Sequence, residues 1–234
     1  MEWMLIGLAI APGIAIALFI YFRDKYEKEP FGLLLKCFFA GFFVVVPVIL
    51  IEEFLISTIV LEPTILHTAV DNFLFVGFTE EFCKYFCLYK IAYSKPDFNE
   101  PFDGIVYAVM VSMGFATSEN IMYVVDGGIS VAILRIFSAV PAHASFGVLM
   151  GYFVGLSKFR KHHVPYLIIG LSIATIFHGV YDFFLSIRSI ELIAIGALIS
   201  LIIGVVLSFR AMKILNENSP FKYSTLFQNR IQSS

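Results

Sequence analysis

Apolar runs of about twenty residues or more recur along this chain, and most charged residues fall between them or near their ends. A run of that length, coiled as a helix, crosses the hydrocarbon core of a bilayer. Helices satisfy their own backbone hydrogen bonds there, which an isolated apolar strand cannot do. Composition extends the point to the whole molecule. Of 234 residues, 59% are hydrophobic and 15% charged, against about 45–50% and about 25% for a soluble domain. No long hydrophilic block remains to build a second domain. The expectation is therefore an all-α, polytopic membrane helix bundle: one transmembrane domain over residues 1–215, then a polar cytosolic tail over 216–234.

Seven spans are predicted, at roughly 3–22, 32–56, 65–93, 103–125, 129–157, 164–187 and 190–212. The fifth is long, contains Arg135 and Pro141, and reads as a short interfacial helix followed by a span. Lys and Arg orient the bundle. Arg23, Lys25, Lys28 and Lys36 flank the first connection, Lys90 and Lys95 the third, and Lys158, Arg160 and Lys161 the fifth. Arg210, Lys213, Lys222 and Arg230 follow the last span, whereas the second and fourth connections carry no basic residue and the sixth only Arg188. By the positive-inside rule this alternation places the N-terminus outside.

Several classes are excluded. Glu2 at the start, and an apolar run that continues to Tyr21, do not fit a cleavable signal. The formal net charge is −2 and the basic residues are dispersed loop anchors, so nucleic acid is not an expected partner. The three cysteines, Cys37, Cys83 and Cys87, fall within spans and form no disulfide framework.

Charges inside spans are costly, and they usually face the bundle interior and carry function. Here they are Glu80, Glu81, Lys84, Glu119, Arg135 and Asp182, accompanied by Asn120, His143 and His178. Glu80 and Lys84 are four residues apart and share a helix face, while Glu81 is rotated by about 100° and reaches the same cavity. One Glu with one Lys would read as a buried ion pair between helices. The second Glu adds a charge that Lys84 cannot balance, and calls for a metal ion or a proton.

The neighbouring spans are patterned for close contact. Ala108, Ser112, Ala116 and Glu119 form a small-residue stripe. Ala139, His143, Gly147, Gly151 and Gly155 form a ridge at intervals of four, available to packing within or between chains. Gly170, Ala174, His178 and Asp182 repeat the device, with a carboxylate one turn from the histidine, as in metal sites where a carboxylate orients a ligand ring. At 1.5 Å per residue, Glu80, Glu119, His143 and His178 fall at compatible depths for one cavity opening outwards. Glu52, Glu53 and Glu62 read as outer-edge residues, and His162 and His163 as solvated loop residues.

The combination Glu80-Glu81-x-x-Lys84, Phe115-x-x-x-Glu119-Asn120, His143-x-x-x-Gly147 and His178-x-x-x-Asp182 resembles the PrsW intramembrane proteases of bacteria. The resemblance extends to Ile10-Ala11-Pro12-Gly13-Ile14-Ala15, Glu29-Pro30, Phe102-Asp103-Gly104-Ile105-Val106-Tyr107 and Gly114-Phe115-Ala116-Thr117. These proteins are similar to the CAAX-protease and bacteriocin-processing superfamily, with its Glu-Glu-x-x-x-Arg, Phe-x-x-x-His and His-x-x-x-Asn motifs. This chain departs from that wider pattern: Lys84 stands one residue earlier than the Arg, Glu119 replaces a His and Asp182 an Asn. Those departures argue against CAAX-type peptide processing.

The resemblance implies a multi-pass protease of the bacterial cell membrane. It also implies site-1 cleavage of a membrane-anchored anti-sigma factor, which starts regulated intramembrane proteolysis and releases a sigma factor in a stress response. The expected chemistry is metal-assisted hydrolysis. Glu119 and His178 would bind a divalent ion, zinc by preference, with His143 as a further ligand or an oxyanion stabiliser. Glu80 or Glu81 would take the proton from water, and Lys84, Asn120 and Asp182 would position the carboxylates and imidazole. A metal-free version, with one Glu activating water and the other protonated, uses the same residues. A transporter or channel using the embedded groups as a proton relay is the alternative from another class, although no inverted repeat is visible. A non-catalytic binding protein comes third. The oligomeric state is left open.

Overall fold

The computed structural model of the chain describes residues 2–59, 62–187 and 190–223. The described residues are mainly helical, with no strand among them. Helices α1 (Glu2–Arg23) and α2 (Phe31–Thr58) are joined by a short charged turn. The third predicted span is a helical column built of α3 (Ile65–Val70), a wider π-helical stretch (Asp71–Phe78), α4 (Thr79–Leu88) and a second π-helical stretch (Tyr89–Tyr93). Helices α5 (Pro101–Phe137), α6 (Ala139–Lys158), α7 (Val164–Ser186) and α8 (Ile190–Glu217) complete the bundle.

Among the described residues, five stretches are long and apolar enough to cross a membrane, and one of them, Pro101–Lys158, folds as the antiparallel pair α5 and α6. The Ile65–Tyr93 column is not among the five, because Glu80, Glu81 and Lys84 interrupt its apolarity. Large apolar side chains such as Phe43, Leu50, Phe54 and Ile202 face outwards. So broad an apolar exterior is the signature of a lipid-facing surface. The chain is a multi-pass membrane protein.

The first half of α5 is the centre of the bundle. From Phe102 to Thr117 every residue is buried, as expected of a helix apolar on all sides. Its start is set locally. Pro101 occupies the first turn, and Asp103 Oδ2 accepts the backbone N–H of Asn99 and Glu100 at 2.7 and 2.8 Å, closing a capping box with Glu100.

The predicted small-residue ridges pack against each other. Gly147 meets Ser112 and Ala108, Gly151 meets the backbone of Gly104 and Ile105, and Gly155 meets Pro101. The ridge therefore serves packing within the chain, and it sets His143 on α6 against Glu119 on α5. The long fifth span is divided as expected. Gly128 at φ 69° breaks the path of α5, a conformation open to glycine at little cost. Residues 129–137 then form a short helical segment, and Ser138 turns the chain into α6 with Pro141 in its first turn.

Helix α8 runs to Glu217, with Asn216 and Ser219 buried. Residues 224–234 of the expected tail, and Arg188, expected on the outer side, lie outside the described residues.

Candidate active site

Two consecutive carboxylates and one ammonium form the nucleus of the site. On α4, Lys84 is four residues from Glu80 and three from Glu81, so a single helical turn brings both to its amine. Lys84 Nζ donates to Glu80 Oε2 at 2.9 Å and to Glu81 Oε1 at 2.8 Å. It also lies 3.2 Å from His143 Nδ1 and 4.0 Å from the centre of the Phe115 ring. All four polar groups are buried, Glu81 and Lys84 to within 1%. The π-helical stretch directly before α4 accommodates one extra residue per turn, a device common beside functional sites.

Helix α7 adds His178 from the opposite side. Its Nδ1 is 2.9 Å from Glu81 Oε1, and its Nε2 is 2.9 Å from Asp182 Oδ2 and 3.8 Å from Glu80 Oε2. The Phe146 ring stacks on the imidazole at 5.0 Å, fixing its plane. Helix α6 contributes His143, whose Nε2 is 2.8 Å from Glu119 Oε2, and the two imidazoles stand 5.2 Å apart at 89°.

These groups share a cavity of about 610 Å³, within the range of about 300–1,000 Å³ typical of ligand sites. Its wall includes Val45, Val48, Phe115 and Phe146 on the apolar side, and Glu80, Glu119, His143, His178 and Asp182 on the polar side. It lies towards the end of the bundle opposite the basic connections, where Glu52, Asn72 and Ser186 also line it. Glu81 is not part of the wall; it sits behind Glu80, its Oε2 buried without a partner.

The residues fit a metal ion. One ligand atom each from Glu80, Glu81, His143 and His178 lie within 4.8 Å of one another, and all four residues are buried. Mixed imidazole and carboxylate ligation suits zinc and related divalent ions. Charge points the same way. Glu80, Glu81, Glu119 and Asp182 face two cations, Lys84 and Arg135, and an unmatched buried charge is costly.

Glu80, Glu81, Lys84, His143, His178 and Asp182 lie together, linked by the contacts above. Glu119 lies on the far side of His143, outside the group of four ligand atoms, and is shared with Arg135 Nη2 at 2.9 Å. Asn120 touches neither a histidine nor Glu80 and Glu81. Its Oδ1 accepts from Arg135 Nε at 2.6 Å and its Nδ2 donates to the Ala9 carbonyl of α1 at 3.3 Å.

Three contributors carry weaker sequence signals. Arg135 is visible as an embedded charge, but its partner lies 16 residues back on α5, at Glu119, across the Gly128 break. Glu52 reads as an outer-edge residue yet reaches the cavity wall, with Oε1 buried and unpartnered. Phe146 is one apolar residue among many until its ring is seen against His178.

Comparison with known proteins follows this geometry. The family profile described as PrsW family intramembrane metalloprotease matches residues 29–212. The Protease PrsW of Geobacillus kaustophilus is 39% identical over 182 residues, covering 77% of this chain and 79% of that protein. That of Bacillus subtilis strain 168 is 38% identical over 184 residues, covering 78% and 83%. That of Clostridioides difficile strain 630 is 34% identical over 188 residues, covering 77% and 79%. No solved structure matches the chain.

Proposed function

The chain belongs to the PrsW family of intramembrane metalloproteases, and on that premise we propose that it makes the site-1 cut in a membrane-anchored anti-sigma factor. The observation that supports a hydrolytic role for this cavity is the convergence of Glu80, Glu81, His143 and His178 within 4.8 Å inside a bilayer-spanning bundle. A hydrolase in a membrane needs a polar chamber that holds water away from lipid. The cavity, polar on one side and apolar on the other, supplies one.

Glu80 is the proposed base, since it lines the cavity whereas Glu81 does not. Its carboxylate takes a proton from water and returns it to the amide nitrogen of the leaving strand. Glu81 is the proposed anchor: its Oε1 receives both Lys84 and His178, holding the ammonium and the imidazole in register. Lys84 keeps the two carboxylates together and neutralises one charge. Asp182 steadies His178 from its other nitrogen.

His143, a carboxylate oxygen of the Glu80–Glu81 pair, and His178 once one of its two carboxylate-facing nitrogens has given up its proton, are the residues that would hold a divalent ion, for which we propose zinc. When bound, such an ion polarises a peptide carbonyl and eases the loss of a proton from water. Glu119 then falls in place behind His143 as the carboxylate that orients it.

Reconstituted protein offered single-pass anti-sigma factors in proteoliposomes tests the reading. Cleavage on the non-basic side of the bundle, absent in Glu80→Gln and accompanied by about one zinc per chain in metal analysis, is the expected result. Intact substrates throughout, or full activity in metal-free protein, would sink the protease or the zinc assignment respectively.

A further inference from the structure

The proteolytic reading leaves Arg135 without a task. It stands on the 129–137 segment, beyond the Gly128 break, yet its guanidinium folds back to α5 and is held on three sides. Nε donates to Asn120 Oδ1 at 2.6 Å, Nη2 lies 2.9 Å from Glu119 Oε2, and the head lies 4.2 Å from the centre of the Tyr123 ring. Asn120 is in turn tied to α1 through the Ala9 carbonyl. So many contacts on one guanidinium fix its position closely.

The contact with Glu119 has a particular form. Nη2 is close to Oε2 but makes no aligned hydrogen bond, so Arg135 acts on the carboxylate through its charge. The hydrogen bond to Oε2 comes from His143 Nε2 at 2.8 Å. A carboxylate only accepts, so that nitrogen carries the proton. The other ring nitrogen, Nδ1, faces Lys84 Nζ at 3.2 Å, and an ammonium only donates. Both ends of the ring therefore select one tautomer, with the lone pair of Nδ1 turned towards the Glu80–Glu81–Lys84 centre.

We infer that Arg135 is a positioning residue: by holding Glu119 through its charge it completes, with Lys84 at the other nitrogen, the pair of contacts that fixes the tautomer of His143 and aims Nδ1 at the reacting centre. Without it Glu119 is free to swing into the cavity, and His143 loses the acceptor that defines its orientation. The inference rests on the proteolytic reading for its purpose, but not for its geometry. It makes the site dependent on the docking of residues 129–137, a segment that carries no ligand atom of its own.

Three variants and two readouts test it. Arg135→Met keeps the length of the side chain without its charge, and Arg135→Lys keeps the charge without the fork. Loss of a group that orients a metal ligand typically costs about 10–100-fold, the drop in hydrolysis expected for Arg135→Met, with Arg135→Lys retaining more activity than the Met variant. In nitrogen-15 histidine spectra taken without substrate, His143 should show the Nε2–H tautomer in wild type and Arg135→Lys, and a mixture in Arg135→Met. Should Arg135→Met not fold in a detergent melt, Arg135→Gln carries the same comparison. Equal behaviour of the Met and Lys variants, or an unchanged tautomer in the Met variant, overturns the inference. Absence of hydrolysis by wild type overturns the proteolytic reading, while the spectra judge Arg135 separately.

Discussion

Gly151→Ala tests whether the α5–α6 crossing sets the geometry of the site as well as the fold. A methyl group at Gly151 would fall against the Gly104 carbonyl and 2.7 Å from Ile105 Cα. Both are backbone atoms of a helix buried on all sides, so neither can turn away. Carbon atoms in ordinary contact are about 3.5 Å apart, so the two helices must separate locally by roughly 0.8 Å. Overpacking of this kind costs about 1–3 kcal/mol, and the better helix propensity of alanine returns about 1 kcal/mol. The net change in stability is therefore small. The change at the site is not. His143 lies two turns along α6 from Gly151, and its 2.8 Å contact with Glu119 spans the same interface. The same separation would stretch that contact to about 3.6 Å, beyond a hydrogen bond. A 1 Å misplacement of a catalytic group costs about 100-fold in rate. The assay is kcat on a membrane-anchored fluorogenic peptide in proteoliposomes, beside a thermal melt in detergent. Gly7→Ala, where a methyl meets nothing within 4 Å, is the control. A Gly151→Ala enzyme with wild-type kcat would refute the argument that this crossing aligns His143.

The remaining predictions concern the charges. Glu80→Gln should lower kcat by about 10²–10⁴-fold with little change in melting temperature, as expected for the loss of a general base. Glu81→Gln should lower both, because its carboxylate joins Lys84 to His178; equal melts for the two variants would contradict the division of roles. Lys84→Met strands two buried carboxylates and should cost about 3–5 kcal/mol, read as a shifted unfolding midpoint. On the basic side of the bundle, burial, with the nearby Asp103, Glu27 and Asp24 carboxylates adding to it, pushes the Glu29 carboxyl up from 4.5 to about 10. In the unfolded chain the group ionises near its ordinary value, so its contribution to stability is complete below pH 4.5 and is lost as pH rises towards 10. Melting temperature should therefore fall more steeply over that window in wild type than in Glu29→Gln; parallel curves would refute it.

Much of the site was legible because buried charge in an apolar chain is conspicuous. Glu80, Glu81, Lys84, His178 and Asp182 announce themselves by type and by spacings of three and four, and their contacts follow from helix geometry alone. The facing ridges of Ser112 with Gly147 and of Gly104 with Gly151 were legible for the same reason, since small residues repeated every turn mark close approach. The role of Glu119 was not. Its spacing says that it faces the interior, but whether it reaches a shared ligand position or the back of His143 depends on the offset between α5 and α6. Arg135 was harder still, because its partner lies across a glycine break that redirects the chain.

Sequence alone determined that this chain is a membrane helix bundle, because apolar runs of about twenty residues match spanning helices, whose backbones are satisfied within each segment, and not the short alternating strands of a membrane barrel. It also determined which residues must shelter together, because isolated charges are not tolerated there. Only the tertiary structure decided which carboxylate faces the cavity, which nitrogen of His143 faces Lys84, and that Arg135 holds Glu119. Those choices turn on helix rotation and displacement of an ångström or so. Such quantities come from the packing of side chains between helices and leave no trace in the periodicity of any one of them.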